Sequence, residues 1–342
     1  MNQFNAFTSQ HDDFVHDIEY DTYGKRLATC SSDHKIKIWS ENAAGEWQCD
    51  AELEGHRGAV WKLAWAHPEF GQVLASCSFD QRIIIWEEMD TPVSTDENSN
   101  MININGVEQP IPGNNASVKK QANNMDVLSR WHQVSSLKGD GRESVNDMKF
   151  APRHFGLCLA TCSTDGFVRI FDADDVMNLE NWTMSKFEAT SDKEEATSLS
   201  WNQSRFDSQM MVVGSTSHIK VWTKNQTERR WEVLADLSVG DVGIVNDVCW
   251  APNLGRSYHL IAAAAANSED IQIFKLMTDP ETNSYRNFEM EAKLSCNTEV
   301  WRCEWNLTGT VLAASGEDGT IRLWRKNFKN VWDQITEESL CR

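Results

Sequence analysis

The sequence predicts an all-β chain made of six copies of one four-stranded unit, the blade of a propeller. Three observations predict it. One segment type recurs six times along the 342 residues, and each copy closes on an aromatic. A second pattern, an apolar residue followed five positions later by an aromatic, precedes every copy. Finally, 15 tryptophans call for a slot that repeatedly asks for the same large side chain, since each buries ~150–250 Å² when packed. Four short strands per unit, repeated at a near-constant period, mark a propeller blade.

The recurring segments are LATCSSDHKIKIW ending at Trp39, LASCSFDQRIIIW at Trp86, LATCSTDGFVRIF at Phe171, MMVVGSTSHIKVW at Trp222, AAAAANSEDIQIF at Phe274 and LAASGEDGTIRLW at Trp324. Each is a small-residue strand, a polar turn and an alternating strand. Asp33, Asp80, Asp165 and Asp318 lie six residues before the closing aromatic, where a carboxylate caps the turn backbone. The upstream pairs are Val15/Tyr20, Val60/Trp65, Val145/Phe150, Ala196/Trp201, Val245/Trp250 and Val300/Trp305. Their alternation reads as a half-buried first strand. A more polar fourth strand follows each closing aromatic and often carries Trp, as at Trp47, Trp182, Trp231 and Trp332.

Spacings between closing aromatics are 47, 85, 51, 52 and 50 residues, so one unit carries an insertion. It covers 90–128, holds Pro92, Pro110, Pro112 and eight Asn, and reads as a disordered loop. Trp131 restarts a fourth strand. The whole chain is then one domain, with residues 336–342 as a short tail.

Counting strands exposes a mismatch. Phe4, Asn5, Ala6, Phe7 and Thr8 precede His11 as a fourth strand precedes the next first strand, yet no blade of their own exists here. Trp332 shows that the sixth blade owns its fourth strand. The sum is an open six-bladed propeller plus one orphan strand, lacking three strands of a seventh blade. Exposed strand edges are normally covered or paired, so a partner is expected to donate a three-stranded blade beside Phe4–Thr8. A closed six-bladed ring is the competing reading.

Other function classes fare poorly. The net charge is −19, from 32 basic and 51 acidic residues. This disfavours nucleic-acid binding and adhesion to anionic membranes. The longest apolar run, Leu260–Ala266, has seven residues, against roughly 18 for a membrane span. Nine scattered cysteines make no disulfide framework. Cys30, Cys77 and Cys162 hold equivalent blade positions and read as small core residues. No catalytic, metal or cofactor site is expected. Trp61 and Trp301 follow the Val that opens a first strand. They read either as packing between adjacent blades or, with Arg57 and Arg302, as partner contacts on one ring face.

Gly55-His56 followed by Trp86-Glu87 resembles the Gly-His to Trp-Asp frame of the WD-repeat family. Blades of that family tie a His, a hydroxyl, an Asp and a Trp together. The resemblance assigns this network to His11, Thr29, Asp33 and Trp39, and to His56, Ser76, Asp80 and Trp86. The other blades lack the His. The segments VWKLAWAHPEFGQVLASCSFD (60–80), FAPRHFGLCLATCSTDGFVRIFDADDVMNL (150–179), WAPNLGRS (250–257) and VWRCEWNLTGTVLAASGEDGTIRLW (300–324) are similar to Seh-type nucleoporin propellers. The outer-cage propeller of the endoplasmic-reticulum exit coat is a sister group that shares the first of these.

What the resemblance implies is a non-enzymatic scaffold of the Y-shaped nuclear pore subcomplex, at the nuclear envelope, supporting mRNA and protein transport. Its implied partners are a helical scaffold nucleoporin that donates the blade, other Y-complex subunits and a lysosomal GATOR-type nutrient-sensing complex upstream of TOR. Implied further locations are the lysosomal surface and the kinetochore. The alternatives are the exit-coat propeller itself and a closed adaptor propeller that reads short peptides.

Overall fold

The computed structural model describes residues 7–89, 101–104, 107–110, 130–140, 144–190, 194–225, 227–238, 243–266, 268–278 and 285–339. Alternating apolar and polar residues, broken by Gly-, Asn- and Asp-containing turns, form strands whose apolar faces pack against neighbouring blades. Blade one comprises β1 (Val15–Tyr20), β2 (Arg26–Ser31), β3 (Lys35–Glu41) and β4 (Trp47–Glu54). Blade two begins with β5 (Val60–Trp65), β6 (Val73–Ser78) and β7 (Arg82–Glu88). After β8 (Met101–Ile104) and β9 (Val107–Pro110), β10 (Trp131–Lys138) returns to pair with β7.

Blade three is β11 (Val145–Phe150), β12 (Cys158–Ser163), β13 (Phe167–Asp175) and β14 (Asn178–Glu188). Blade four is β15 (Ala196–Trp201), β16 (Met210–Ser215), β17 (Ile219–Lys224) and β18 (Trp231–Asp236). Blade five is β19 (Val245–Trp250), β20 (Tyr258–Ala265), β21 (Asp270–Thr278) and β22 (Tyr285–Ser295). Blade six is β23 (Val300–Trp305), β24 (Val311–Gly316), β25 (Thr320–Lys326) and β26 (Trp332–Ser339). All six are four-stranded antiparallel meanders. The six first strands start and stop on the apolar–aromatic pairs read from the sequence.

Two expectations need correction. The tail expected from residue 336 is strand up to Ser339, because β26 stays in register with β25 from Lys326↔Trp332 to Thr320↔Ser339. The insertion is not without structure. β8 and β9 pair as an antiparallel hairpin with Ile104 opposite Val107, and Asn105-Gly106 between them is the sequence signal for a two-residue hairpin turn. The other insertion residues between 90 and 128 lie outside the described set.

First strands line the axis, each packed beside the next from β1 through β5, β11, β15 and β19 to β23. The core lies between blades. Val73, Ala75, Cys77, Ile83 and Ile85 of blade two meet Val145, Met148 and Leu159 of blade three, all buried. No comparable packing joins β23 to β1 among the described residues.

Candidate partner-binding edge

Four of the five blade-to-blade seams share one stitch, and three of those four add a second. The fourth residue of a first strand donates its N–H to the third residue of the preceding first strand. Leu63 reaches Asp17 at 3.1 Å, Leu199 reaches Asp147 at 3.0 Å, Val248 reaches Ser198 at 3.0 Å and Cys303 reaches Asp247 at 2.9 Å. The closing Trp then donates its indole N–H to a carbonyl of that neighbour, as Trp65 does to Glu19 at 3.1 Å, Trp201 to Lys149 at 3.1 Å and Trp305 to Cys249 at 3.2 Å. At the seam between blades two and three, the Lys62–Asp147 ion pair at 3.5 Å takes this place.

Among the described residues no blade precedes blade one, and its first strand shows it. Ile18 is 59% exposed and Tyr20 is 54% exposed. The residues at the Ile18 position in the other five blades, Leu63, Met148, Leu199, Val248 and Cys303, are all buried. The opposite wall matches. Val311, Ala313, Ile321 and Leu323 of blade six are only half-buried, whereas Val73, Ala75, Ile83 and Ile85 at the same positions of blade two are buried. Ile335 is exposed at the position where Val134 packs against the blade two–three core. Two apolar blade faces therefore flank an open slot. This slot is the candidate site.

Of the orphan segment, Phe4, Asn5 and Ala6 lie outside the described residues. Phe7 and Thr8 are described and belong to no strand. The Phe7 ring sits 5.0 Å from Trp39 and 6.0 Å from Trp47. Phe187, in the fourth strand of blade three, meets Trp222 and Trp231 of blade four in the same way, at 4.7 and 5.2 Å. Phe7 thus occupies the place that the fourth strand of a preceding blade would fill.

The segment is anchored by the network assigned to His11. Its Nδ1 lies 2.8 Å from Asp33 and its Nε2 2.9 Å from Thr29 Oγ1, which accepts the Trp39 indole N–H at 3.0 Å. In blade two, His56 Nδ1 meets Asp80 at 3.2 Å, His56 Nε2 meets Ser76 Oγ at 2.7 Å, and Trp86 donates to Ser76 at 2.9 Å. Burial holds the His56 imidazolium below its ordinary pKa. The neutral ring therefore donates from Nδ1 to the carboxylate and accepts the Ser76 hydroxyl at Nε2. Burial pushes the Asp80 carboxyl up, but the Arg57 N–H and the His56 ring more than offset it and leave its pKa lowered.

Blades three and six lack the His and use arginine. Arg169 binds Asp165 and Asp140, and Arg322 binds Asp318 at 2.6 Å. The Asp-x-x-x-Arg spacing was the available signal for these pairs, and the sequence reading passed over it. Blade four has Val213 at the hydroxyl position, and the buried Trp222 indole N–H finds no partner there. All four turn aspartates cap backbone N–H groups two residues on, at 3.0–3.1 Å.

The face residues separate. Trp61 is 36% exposed and packs across the seam against His16, with ring centroids 4.3 Å apart and the planes tilted by 41°. Trp301 is 50% exposed. Arg57 is exposed beside the Asp80 turn and donates its backbone N–H to that carboxylate at 2.9 Å. Arg302 does not join Trp301 on that face. Strand alternation turns it inward among the Asp247, Asp147 and Asp17 charges, which raise its pKa against a burial effect that lowers it. Glu19 is enclosed in the same channel, and burial pushes its carboxyl up to about 8.

Cys30, Cys77 and Cys162 are fully buried, and burial drives their thiols up in pKa, away from nucleophilic thiolate. Among the described residues no group of three His, Cys, Asp or Glu is placed to hold a metal. No helix there is long and apolar enough to cross a membrane.

The pattern described as "WD domain, G-beta repeat" matches residues 3–40, 47–87, 131–172 and 288–325. A chain of the solved mitotic checkpoint complex shares the fold with a TM-score of 0.61 at 16% identity, over 91% of this chain and 74% of that one. Nucleoporin SEH1 of Xenopus tropicalis is 38% identical over 96% of this chain and 86% of its own length. Nucleoporin SEH1 of Osmerus mordax is 39% identical over 96% and 84%, and that of Homo sapiens is 38% identical over 96% and 86%. With the six WD-type blades, their near-complete coverage means that this chain belongs to the SEH1 family of nucleoporins.

Proposed function

We infer that the chain is a non-enzymatic scaffold propeller of the nuclear pore complex, which completes its ring by accepting a three-stranded blade from a helical scaffold nucleoporin. The observation that supports this reading is the pair of apolar walls, Ile18 and Tyr20 on blade one and Val311, Leu323 and Ile335 on blade six, left open where five other seams are packed shut. A blade inserted there buries both walls and pairs with the segment around Phe7. Such an interface is expected to exceed ~2,000 Å², the obligate range. Its strand-by-strand pairing is blade-scale strand addition.

The finer readings, support of mRNA and protein transport through the Y-shaped subcomplex and service in a lysosomal GATOR-type complex, turn on which protein supplies the blade. Similarity to named nucleoporins over nearly the whole chain favours the pore over the vesicle coat. Stoichiometric co-purification of the native protein identifies the donor. The central test compares the chain alone with the chain co-expressed with the donor's three-stranded segment. The donated blade should raise the melting temperature and protect blades one and six from proteolysis. If the isolated chain is fully protease-resistant and its melting temperature does not respond to the segment, the ring is closed and the proposal fails.

A further inference from the structure

A meander blade sends its first connection, between strands one and two, to one face of the ring. On that face the connections of blades one to five surround a cavity of about 760 Å³ over the mouth of the central channel. Its chemistry runs against the rest of the molecule. The chain carries −19, yet the cavity lining includes Arg153, Arg205, His67 and His154 and no carboxylate. Asp207, the acid nearest in sequence to Arg205, is turned away, held by Asn202 at 3.0 Å and His259 at 3.3 Å. Glu69 approaches from outside the lining, 3.6 Å from Arg153, and both side chains are more than half exposed.

The cations crowd one another. Burial lowers the His154 pKa; a backbone hydrogen bond at Ser204 raises it, and the Arg153 and Arg205 charges lower it. Arg205 leans over the Phe206 ring at 5.0 Å, and no ion pair holds it among the described residues. The lip is also apolar: Phe206 and Leu254 are both largely exposed. Exposed aromatic and aliphatic side chains beside Arg205, and beside Arg153 with its solvent-exposed Glu69 pair, are the composition of a binding surface, not of a solvated loop.

We propose that this cavity docks a short linear peptide that presents Asp or Glu carboxylates to Arg153 and Arg205 and an apolar side chain to Phe206 and Leu254. The chain's net charge of −19 disfavours long polyanions and anionic bilayers, while a short segment can meet the arginines alone. Two arginines are also too few for the counterion release on which phosphate-backbone binding depends. The apolar lip adds a requirement that neither phosphate nor a lipid headgroup meets. This site is formed by blades one to five and is independent of the slot between blades six and one.

The test is fluorescence polarisation on the full chain. The probes are a labelled octapeptide pool alternating Asp/Glu with Leu/Phe and the same pool with Asn/Gln in place of the acids. The acidic pool should bind, weaken as salt rises, and lose about tenfold or more in affinity on combining Arg153→Glu with Arg205→Glu. Phe206→Ser should weaken it independently. All these side chains are exposed, so melting temperatures should stay at the parent value. The proposal is overturned if the neutral pool binds as tightly, or if neither variant changes binding. It is equally overturned if inorganic phosphate or phosphatidylserine vesicles bind the cavity and the acidic pool does not.

Discussion

Ile18 and Leu199 hold the same position in the first strands of blades one and four, but Ile18 is 59% exposed and Leu199 is fully buried. Truncating each therefore asks whether the ring is open in solution. Leu199→Ala removes buried methyl groups at a packed seam and should cost about 2–5 kcal/mol. Ile18→Ala removes groups already mostly in water and should cost the isolated chain less than about 1 kcal/mol. Blade addition reverses the order of importance. Fully burying an isoleucine side chain is worth about 1.5–3 kcal/mol, and covering the exposed part of Ile18 about 1–2 kcal/mol. Ile18→Ala should then weaken acceptance of a donated blade about 5- to 30-fold. Urea denaturation of the isolated variants measures the first quantities, and titration with the three-stranded segment the last. If Ile18→Ala destabilises the isolated chain as much as Leu199→Ala does, the first strand of blade one is covered without a partner and the reasoning fails.

Ser76→Ala deletes the oxygen shared by His56 and Trp86 and leaves two buried polar groups without a partner. It should cost about 1–3 kcal/mol in equilibrium unfolding. Glu19 has its carboxyl pKa raised from the usual 4.5 to about 8 by burial, so the folded state resists its ionisation. Stability on this account is full below the ordinary carboxylate pKa and is lost as pH rises through the folded value. Glu19→Gln should therefore raise the melting temperature above pH 8 and change little at pH 5. Gly309 has φ +62°, and an added Cβ would lie 2.2 Å from the Pro252 carbonyl oxygen. Gly24 has a similar φ of +65° with open space around it. Gly309→Ala should thus lower the thermal midpoint clearly more than Gly24→Ala, which carries only the backbone strain of ~1 kcal/mol.

Much of the fold is legible in single blades. Val60 and Trp65 bound a strand because alternation over six residues is a local property, and Asp80 caps its turn through neighbours two residues away. The exchange of His for Arg169 and Arg322 is also local, but it breaks the family pattern and was missed for that reason. The destination of Arg302 is different. Its sequence neighbours suggested the ring face, whereas its place in the third position of β23 turns it toward carboxylates on three other blades. Likewise the cavity lined by Arg153 and Arg205 draws on turns from five blades, with no sequence spacing to reveal it.

By itself, then, the sequence determined the blade: its strands, its turns and its count of six. Those follow from short-range periodicity and turn chemistry, repeated. Only the tertiary structure decided which copies of an identical pattern are covered. Ile18 and Leu199 are indistinguishable as apolar residues in alternating strands. One is buried and the other exposed because burial depends on whether another blade lies against that face, and the slot between blades six and one holds none among the described residues.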